Sequence, residues 1–544
     1  MSYLSTAPAR AAACLKLSLI PLSLLLAACG SSGGGDNGAA VNGAAVSGVV
    51  FAAPVSGASV EVQDTGGNTV AGPVTSGSDG RYSLRIPAAH RNSALVIMAT
   101  GGNFGDEATG QSATAGTLST YLPAGSLSGG SASRSVTPGT TIVRDMVMMH
   151  GMTFSAAQSA FESAFGYVAD PSVQPVDVTD SANATAAAAR RLAGLRAAAF
   201  SQLAMDLRLN ASEQFDLLSA LADDLADGSL DGEANGGTLT VGSVAIPADI
   251  RNRFTLALHT FHDGGNDHSG LENDELGVPP FAKLALSKSY RVEYIAGGMM
   301  GEQVGENTFT LRISADGTPA SKLMVSLMPM MHMAGMMHAT PNEGCSESAT
   351  TAGDYTCTIY YLMASEMNGM SMGYWQVKAM IGGMIGGMMG ESVSFFPTVM
   401  MAMGDTALAK LKGVSDEIPD MMGMAESRTY YLFNDGADAD SLSLFIAARE
   451  SMMSFPALYV GQTFNSGTAD ELSVTSVDVE VSSDDGASWT AASDDGNGHW
   501  SISGLGLTAG QANALRVRLT VNREIKTSNG TDTGTDYATF TVSP

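Results

Sequence analysis

Methionine is the residue type whose number and spacing in this chain could do chemistry. Of 32 methionines, 23 lie between Met299 and Met424. They form close sets: Met328-Pro329-Met330-Met331-His332-Met333, then Met336-Met337-His338, then Met367, Met370 and Met372. Glycine-separated sets follow at Met384, Met388-Met389, Met400-Met401, Met403 and Met421-Met422-Gly423-Met424. A thioether is a soft, neutral donor, so such a set favours copper(I) without first losing a proton. It also survives an oxidising compartment in which free thiols pair off. Two other roles compete. Methionine is an adaptable filler of cores and apolar contact surfaces, and a reversible sink for oxidants. The run 382–390, Gly-Gly-Met-Ile-Gly-Gly-Met-Met-Gly, has neither a helical nor a strand period to bury its side chains.

Strand geometry sharpens the set. Leu323, Val325 and Leu327 face one side of an extended segment, and Met324 and Met328 face the other. If the extended phase runs on past Pro329, then Met330, His332, Met336 and His338 join the second face; Pro329 and Gly335 oppose that continuation. The candidate ligands here are Met328, Met330, Met331, His332, Met333, Met336, Met337 and His338, with Met370 and Met372 nearby.

A second candidate metal group is His259-Thr260-Phe261-His262-Asp263, with His268 beyond Gly264-Gly265. His259 and His262 share a helix face at i, i+3, and neutral imidazoles beside a carboxylate suit zinc or copper. The alternative is a solvated helix end, and no His-Glu-x-x-His motif is present. Met146, Met148, Met149, His150 and Met152 read as the buried face of a first helix. Cys345 and Cys357, 12 apart, read as one disulfide stapling a hairpin rather than a thiolate metal site.

The usual signatures of enzymes are missing. There is no Walker loop or kinase set, and Gly504 to Gly510 lies between β runs without dinucleotide spacing. Asp435, Asp438 and Asp440 lack calcium-loop spacing. The expectation is a protein with no catalytic residue. Fifty-four acidic residues against 27 basic ones give a net charge of −27, which repels phosphate backbones and argues against nucleic acid.

The elements that must position these residues fall into blocks. Arg10 and Lys16 precede an apolar run, Leu17 to Leu26, that ends in Leu26-Ala27-Ala28-Cys29. This resembles a bacterial lipoprotein signal. The resemblance implies cleavage after residue 28, a lipid on Cys29, and, with Gly30 rather than Asp next, the outer membrane of the cell envelope. Ser31 to Gly38 would form a flexible tether, giving a signal over 1–28 and a tether over 29–45. Period-two runs occupy 46–136, and Gly48-Val49, Pro54-Val55-Ser56-Gly57-Ala58 and Asp79-Gly80-Arg81-Tyr82 resemble the carboxypeptidase regulatory-like domain, a non-catalytic β-sandwich. Residues 137–288 read as helical, with Leu192, Leu195, Ala199, Leu203 and Leu207 on one face.

Strands return over 289–426 and continue through 427–544. The last block resembles bacterial immunoglobulin-like sandwiches, through its Gly486-Ala487-Ser488-Trp489 turn. In the block before it, Gly305-Glu306-Asn307, the Met328-Pro329-Met330 loop, Gly353-Asp354-Tyr355 and Trp375-Gln376-Val377 resemble the YtkA-like/FixH-like periplasmic β-sandwich family. That resemblance implies a place near copper handling and carries over residues 328, 330–333 and 336–338 as ligands.

The sequence therefore leads to a mainly β, multi-domain protein, with three immunoglobulin-like sandwiches and a helical bundle inserted between the first and second. The expected function is a lipid-anchored, membrane-attached copper(I) binder of the cell envelope, buffering the ion or passing it to an envelope protein. The alternative is a structural or adhesive surface lipoprotein that uses its methionine-rich face for protein contacts.

Overall fold

The computed structural model describes residues 43–382, 390–420 and 422–544. The signal, Cys29, nearly all of the tether, and Met384, Met388, Met389 and Met421 lie outside the described residues. Among the described residues the chain is mainly β, with its α-helices confined to the segment between the first and second sandwiches, as the periodicities predict. In the first sandwich a three-stranded sheet runs Arg81–Ile86, Ala44–Val49, Ser131–Ser133, the last pair parallel. It packs on an antiparallel sheet of Thr69–Thr75, Ser59–Asp64, Leu95–Thr100 and Thr117–Leu122. Alternation decides the facing: in Arg81–Ile86, Tyr82, Leu84 and Ile86 are buried between exposed neighbours.

Five helices follow: α1 (Pro138–His150), α2 (Phe154–Phe165), α3 (Ala188–Asp206), α4 (Gln214–Leu225) and α5 (Ile250–His262). α1 starts where Thr137 and Thr140 cap each other, with Pro138 in the first turn, and stops at Gly151, whose φ of 68° a side-chain-bearing residue rarely adopts. Of the group expected on its buried face, only Met146 is buried; Met149 and His150 are exposed, because the helix's last turn runs out beyond the core. On α3, Leu195, Ala199 and Leu203 are fully buried, as their spacing predicts, while Leu192 is half-buried at the rim.

The helices have no separate core. One continuous apolar cluster runs from Ala44 through Leu276. Phe104 meets Phe215 edge-on at 5.6 Å, and a Cβ at Gly116 would lie 2.7 Å from that of Phe215. The Thr140 hydroxyl donates to the Ser119 carbonyl at 2.8 Å, tying α1 to the sheet. The expected boundary at 136/137 therefore separates two sequence textures and one hydrophobic core.

The second sandwich pairs the sheet Leu284–Leu286, Arg291–Ala296, Gly305–Ala315, Asp354–Tyr361, Asn342–Glu347 with the sheet Met336–Ala339, Val325–Met333, Tyr374–Ile381, Glu391–Phe395. Cys345 and Cys357 are cross-strand partners and form the expected disulfide. The third sandwich pairs Leu408–Pro419, Ala425–Ala437, Ser441–Ala448, His499–Ser503 and Ser493–Gly496 with a sheet centred on Val477–Ser482 and Asn513–Val521. Two boundaries need correction. The one expected at 426/427 would cut the Leu408–Pro419/Ala425–Ala437 hairpin, so the third sandwich begins near residue 408. The one at 288/289 would detach Leu284–Leu286 from its partner Arg291–Ala296. Both slips come from dividing the chain by composition, since methionines continue across a hairpin that long-range packing assigns to the next core.

The shared core of the first sandwich and helices holds Glu107 at a cost. Glu107 is 3% exposed, and burial, followed by repulsion from Asp106 and Asp177, pushes its carboxyl up to about 8. An acid whose folded value is raised binds its proton more tightly in the native state, so it takes stability away as pH rises from about 4.5 to 8. Glu107→Gln keeps the shape and removes the titration. Its thermal stability relative to the wild type should rise by roughly 2–4 kcal/mol between pH 5 and pH 8. Parallel stability curves for the two proteins across that range would contradict the burial argument.

Candidate functional site

The methionine-histidine segment is a hairpin. Val325–Met333 turns at Ala334-Gly335 and returns as Met336–Ala339, with Met333 opposite Met336, His332 opposite Met337 and Met331 opposite His338. The extended phase does continue through Pro329. Pairing with Met336–Ala339 begins only at Met330, so the strand has an open edge at the proline, which lacks an N–H. Val325, Leu327, Pro329 and Met331 are buried on the inner face; Met328, Met330 and His332 lie on the outer face. A two-residue turn pairs odd positions with even ones. Met336 and His338 therefore return on the inner face, opposite to where counting straight through the turn puts them. The eight candidates split into an outer row of Met328, Met330, His332 and Met337, and an inner row of Met331, Met333, Met336 and His338. They do not converge on one site.

In the outer row His332 is covered by the helical segment, while Met328 and Met337 are exposed. His332 stacks on Tyr374 with ring centres 4.6 Å apart, and His259 of α5 stacks on the same tyrosine at 3.7 Å. The hairpin turn is held from the same side, by Glu272 accepting from the Gly335 N–H at 2.9 Å and by Asn273 donating to the Met333 carbonyl. Burial holds the His259 imidazole far below its ordinary value, with repulsion from His332 and His262 adding to it; burial lowers His332 too. Both nitrogens of His259 and Nδ1 of His332 are buried without a hydrogen-bond partner among the described residues.

The triad expected on α5 is broken up. His259 faces the sandwich, His262 Nδ1 donates to the Asp267 carboxylate at 2.8 Å, and His268 is exposed. A helix presents i and i+3 on one side only approximately, and here the first of the pair is drawn into an interface and the second into a loop. Among the described residues no group of three or more His, Cys, Asp or Glu side chains converges as a metal site.

From the inner row, His338 reaches the seam between the second and third sandwiches. Ala339 donates its N–H to the Met452 carbonyl at 2.8 Å, which fixes the end of the hairpin against the third sandwich. His338 is buried, with Trp375 edge-on at 5.6 Å. Its Nδ1 lies 2.8 Å from the Ala339 carbonyl, and its Nε2 lies 3.4 Å from the Met363 sulfur. A carbonyl can only accept, so Nδ1 carries the hydrogen and the neutral ring presents a lone pair at Nε2. Burial, with repulsion from Lys410 adding to it, lowers the tendency of this ring to take a second proton, although the Ala339 carbonyl works the other way. A thioether sulfur also has only lone pairs to offer. Two acceptors therefore face each other.

They do so at a cavity of about 350 Å³, lined also by Met367, Met401, Met452, Lys410 and Arg449. Met370 and Met372 are not in its lining: Met370 is exposed on the short hairpin that carries Met367, and Met372 packs against the sandwich core. Sequence reasoning missed Met363 and Met452, which stand outside the methionine sets that spacing picks out. Across residues 299–424, 13 of the 19 described methionines are exposed and Met331 alone is buried, so core filling does not explain the excess.

No protein-family model matches the chain, and no curated protein matches it. Among solved structures, a crystal structure of consecutive titin domains is similar over 44% of this chain and 95% of that one, at 10% identity and a TM-score of 0.13. A likeness that low leaves the sandwiches to be argued from their own sheets.

The His259 environment has a measurable consequence. A base whose folded value is depressed supports stability above its unfolded value of about 6.5 and withdraws it as pH falls below. His259→Phe keeps the stacked ring without the titration. The variant should gain on the wild type by about 1.4 kcal/mol for each pH unit below 6.5 in thermal or denaturant unfolding, until other groups dominate. An unchanged acid limb would show that His259 takes its proton while folded.

Proposed function

We propose that this protein binds copper(I) at the seam between its second and third sandwiches, and that it does so as a lipid-anchored protein of the cell envelope without catalytic residues. The observation that carries the reading is the meeting of two lone-pair donors, His338 Nε2 and Met363 Sδ, at 3.4 Å with no hydrogen between them. A soft cation satisfies both. With bonds of about 2.0 Å to nitrogen and about 2.3 Å to sulfur, two ligands of a tetrahedral ion stand about 3.5 Å apart. Met367, Met401 and Met452 supply further thioethers in the same lining.

The ligand set also speaks to charge. Imidazole and thioethers are neutral, and Lys410 and Arg449 stand in the same lining. Repulsion from those bases grows with the charge of the ion, so a monovalent soft ion is favoured over a divalent one. When bound, the ion would supply a buffered or transferable copper centre; the protein's part is to hold the tautomer of His338 through Ala339 and to present sulfur. The lipoprotein motif at Cys29 and the segments similar to the YtkA-like/FixH-like family support the envelope setting.

The exposed methionines favour a second reading, a surface lipoprotein whose thioether-rich face contacts another protein. The two separate in one experiment. Copper(I) titrated anaerobically into the purified protein against a chromophoric chelator should give one tight equivalent, with Trp375 fluorescence reporting it. Met363→Leu, which conserves volume, and His338→Phe should each weaken binding at least tenfold, while Met328→Leu with Met330→Leu should leave it unchanged. A chelator that retains all the copper, or an undiminished Met363→Leu variant, would overturn the seam site and leave the contact-surface reading.

A further inference from the structure

A second cavity, of about 330 Å³, lies in the helical segment between the first turn of α1, the 167–175 loop and α3. Its walls are mostly apolar, from Val168, Val173, Leu192 and alanines of α3. Two polar side chains stand out in the lining, Arg196 and Tyr167. The Arg196 guanidinium carbon sits 4.3 Å from the centre of the Tyr167 ring. Beyond that stacking, neither the guanidinium nor the Tyr167 hydroxyl has an ion pair or hydrogen bond among the described residues.

That is unusual for an inward-facing arginine in this chain. Arg190 and Arg191 of the same helix are each tied to backbone carbonyls, Gln174 for the first and Ala186 and Ser269 for the second. The fully buried Arg428 is satisfied by Asp416, Asn465 and the carbonyls of Arg449 and Asp470. Acids outnumber bases two to one in the sequence, yet among the described residues none pairs with Arg196. Asp170, the acid in the same lining, accepts instead from the Ser172 N–H at 2.8 Å. Half-buried charge without a partner costs free energy, and burial lowers the guanidinium's hold on its proton. The Tyr167 hydroxyl lies over Gly139, where an added Cβ would stand 3.3 Å from it and 3.0 Å from Phe161, so the glycine keeps this end of the cavity open. On the far side of Arg196 a space of about 20 Å³, enough for one water, is shared by Arg196, Tyr167 and His259.

We propose that this cavity binds a small organic monocarboxylate with an apolar body, its carboxylate held by the Arg196 guanidinium and the Tyr167 hydroxyl and its tail along the apolar wall. The volume lies at the lower end of ligand-sized pockets, ~300–1,000 Å³. A carboxylate matches the planar guanidinium and also accepts from a phenol. The site is independent of the copper seam.

Octanoate is the probe, titrated calorimetrically into the full chain. Saturable binding is expected, at least tenfold weaker in Arg196→Met and several-fold weaker in Tyr167→Phe. Octanol, with the same tail and no charge, should bind at least tenfold more weakly than octanoate. Lys410→Met, at the other basic cavity, should change nothing. Absence of saturable octanoate binding, equal binding of octanol, or loss in Lys410→Met would each overturn the proposal. If Arg196→Met fails to fold by circular dichroism, the Tyr167→Phe and octanol comparisons decide it.

Discussion

The period-two alternation of one short hairpin governs what the methionine-rich region can do. Val325–Met333 and Met336–Ala339 carry alternating sulfur and imidazole donors, and a two-residue turn sets which of them share a face. Because successive side chains point to opposite sides, a ligand cluster that looks dense along the sequence becomes two separate rows. His332 of one row is taken up by contact with the helical segment, and His338 of the other reaches the neighbouring sandwich. A slip of one residue in that register would exchange the rows, putting His338 under the helices and His332 at the seam.

The rest of the molecule holds the register. The helical segment is fused to the first sandwich through a common core, so α5 and the Glu272–Asn273 turn form a firm platform. Tyr374, stacked against both His259 and His332, makes the outer imidazole part of an interface. On the inner side a small apolar cluster of Tyr360, Tyr431, Phe433, Phe445 and Phe455 joins the second and third sandwiches beside the His338 cavity. Donors from both sandwiches, Met363 from one and Met452 from the other, can then line a single space.

Much of this architecture was legible in the residues. The runs around Thr308–Ile313, Val477–Val481 and Leu515–Val521 are strands because their alternation is strict and one face of each is buried, while Tyr355–Leu362 alternates up to Ile359 and is then buried on both faces. Thr137-Pro138 marks the start of α1 because capping chemistry is local. The Cys345–Cys357 pairing followed from the shortage of other partners. What could not be read depends on contacts between distant segments. The exposed edge strand Thr69–Thr75 has no clean alternation and owes its place to pairing with Ser59–Asp64. The hairpin that opens the third sandwich shares its composition with the second. Met452 lies 114 positions from His338 in the sequence, and only the packing of two sandwiches brings it to the same cavity. His259 looked like a ligand and is an interface ring, because sequence spacing shows which residues share a helix face and not what covers that face.

The central claim is that lone pairs of His338 and Met363 converge to hold a soft monovalent ion. X-ray absorption at the copper edge of the protein loaded with one equivalent of copper(I) tests it most directly. The account predicts sulfur scatterers at about 2.3 Å together with one imidazole nitrogen at about 2.0 Å, the nitrogen lost in His338→Phe and sulfur amplitude reduced in Met363→Leu. A first shell of oxygen and nitrogen alone, or a spectrum unchanged by both substitutions, would contradict it.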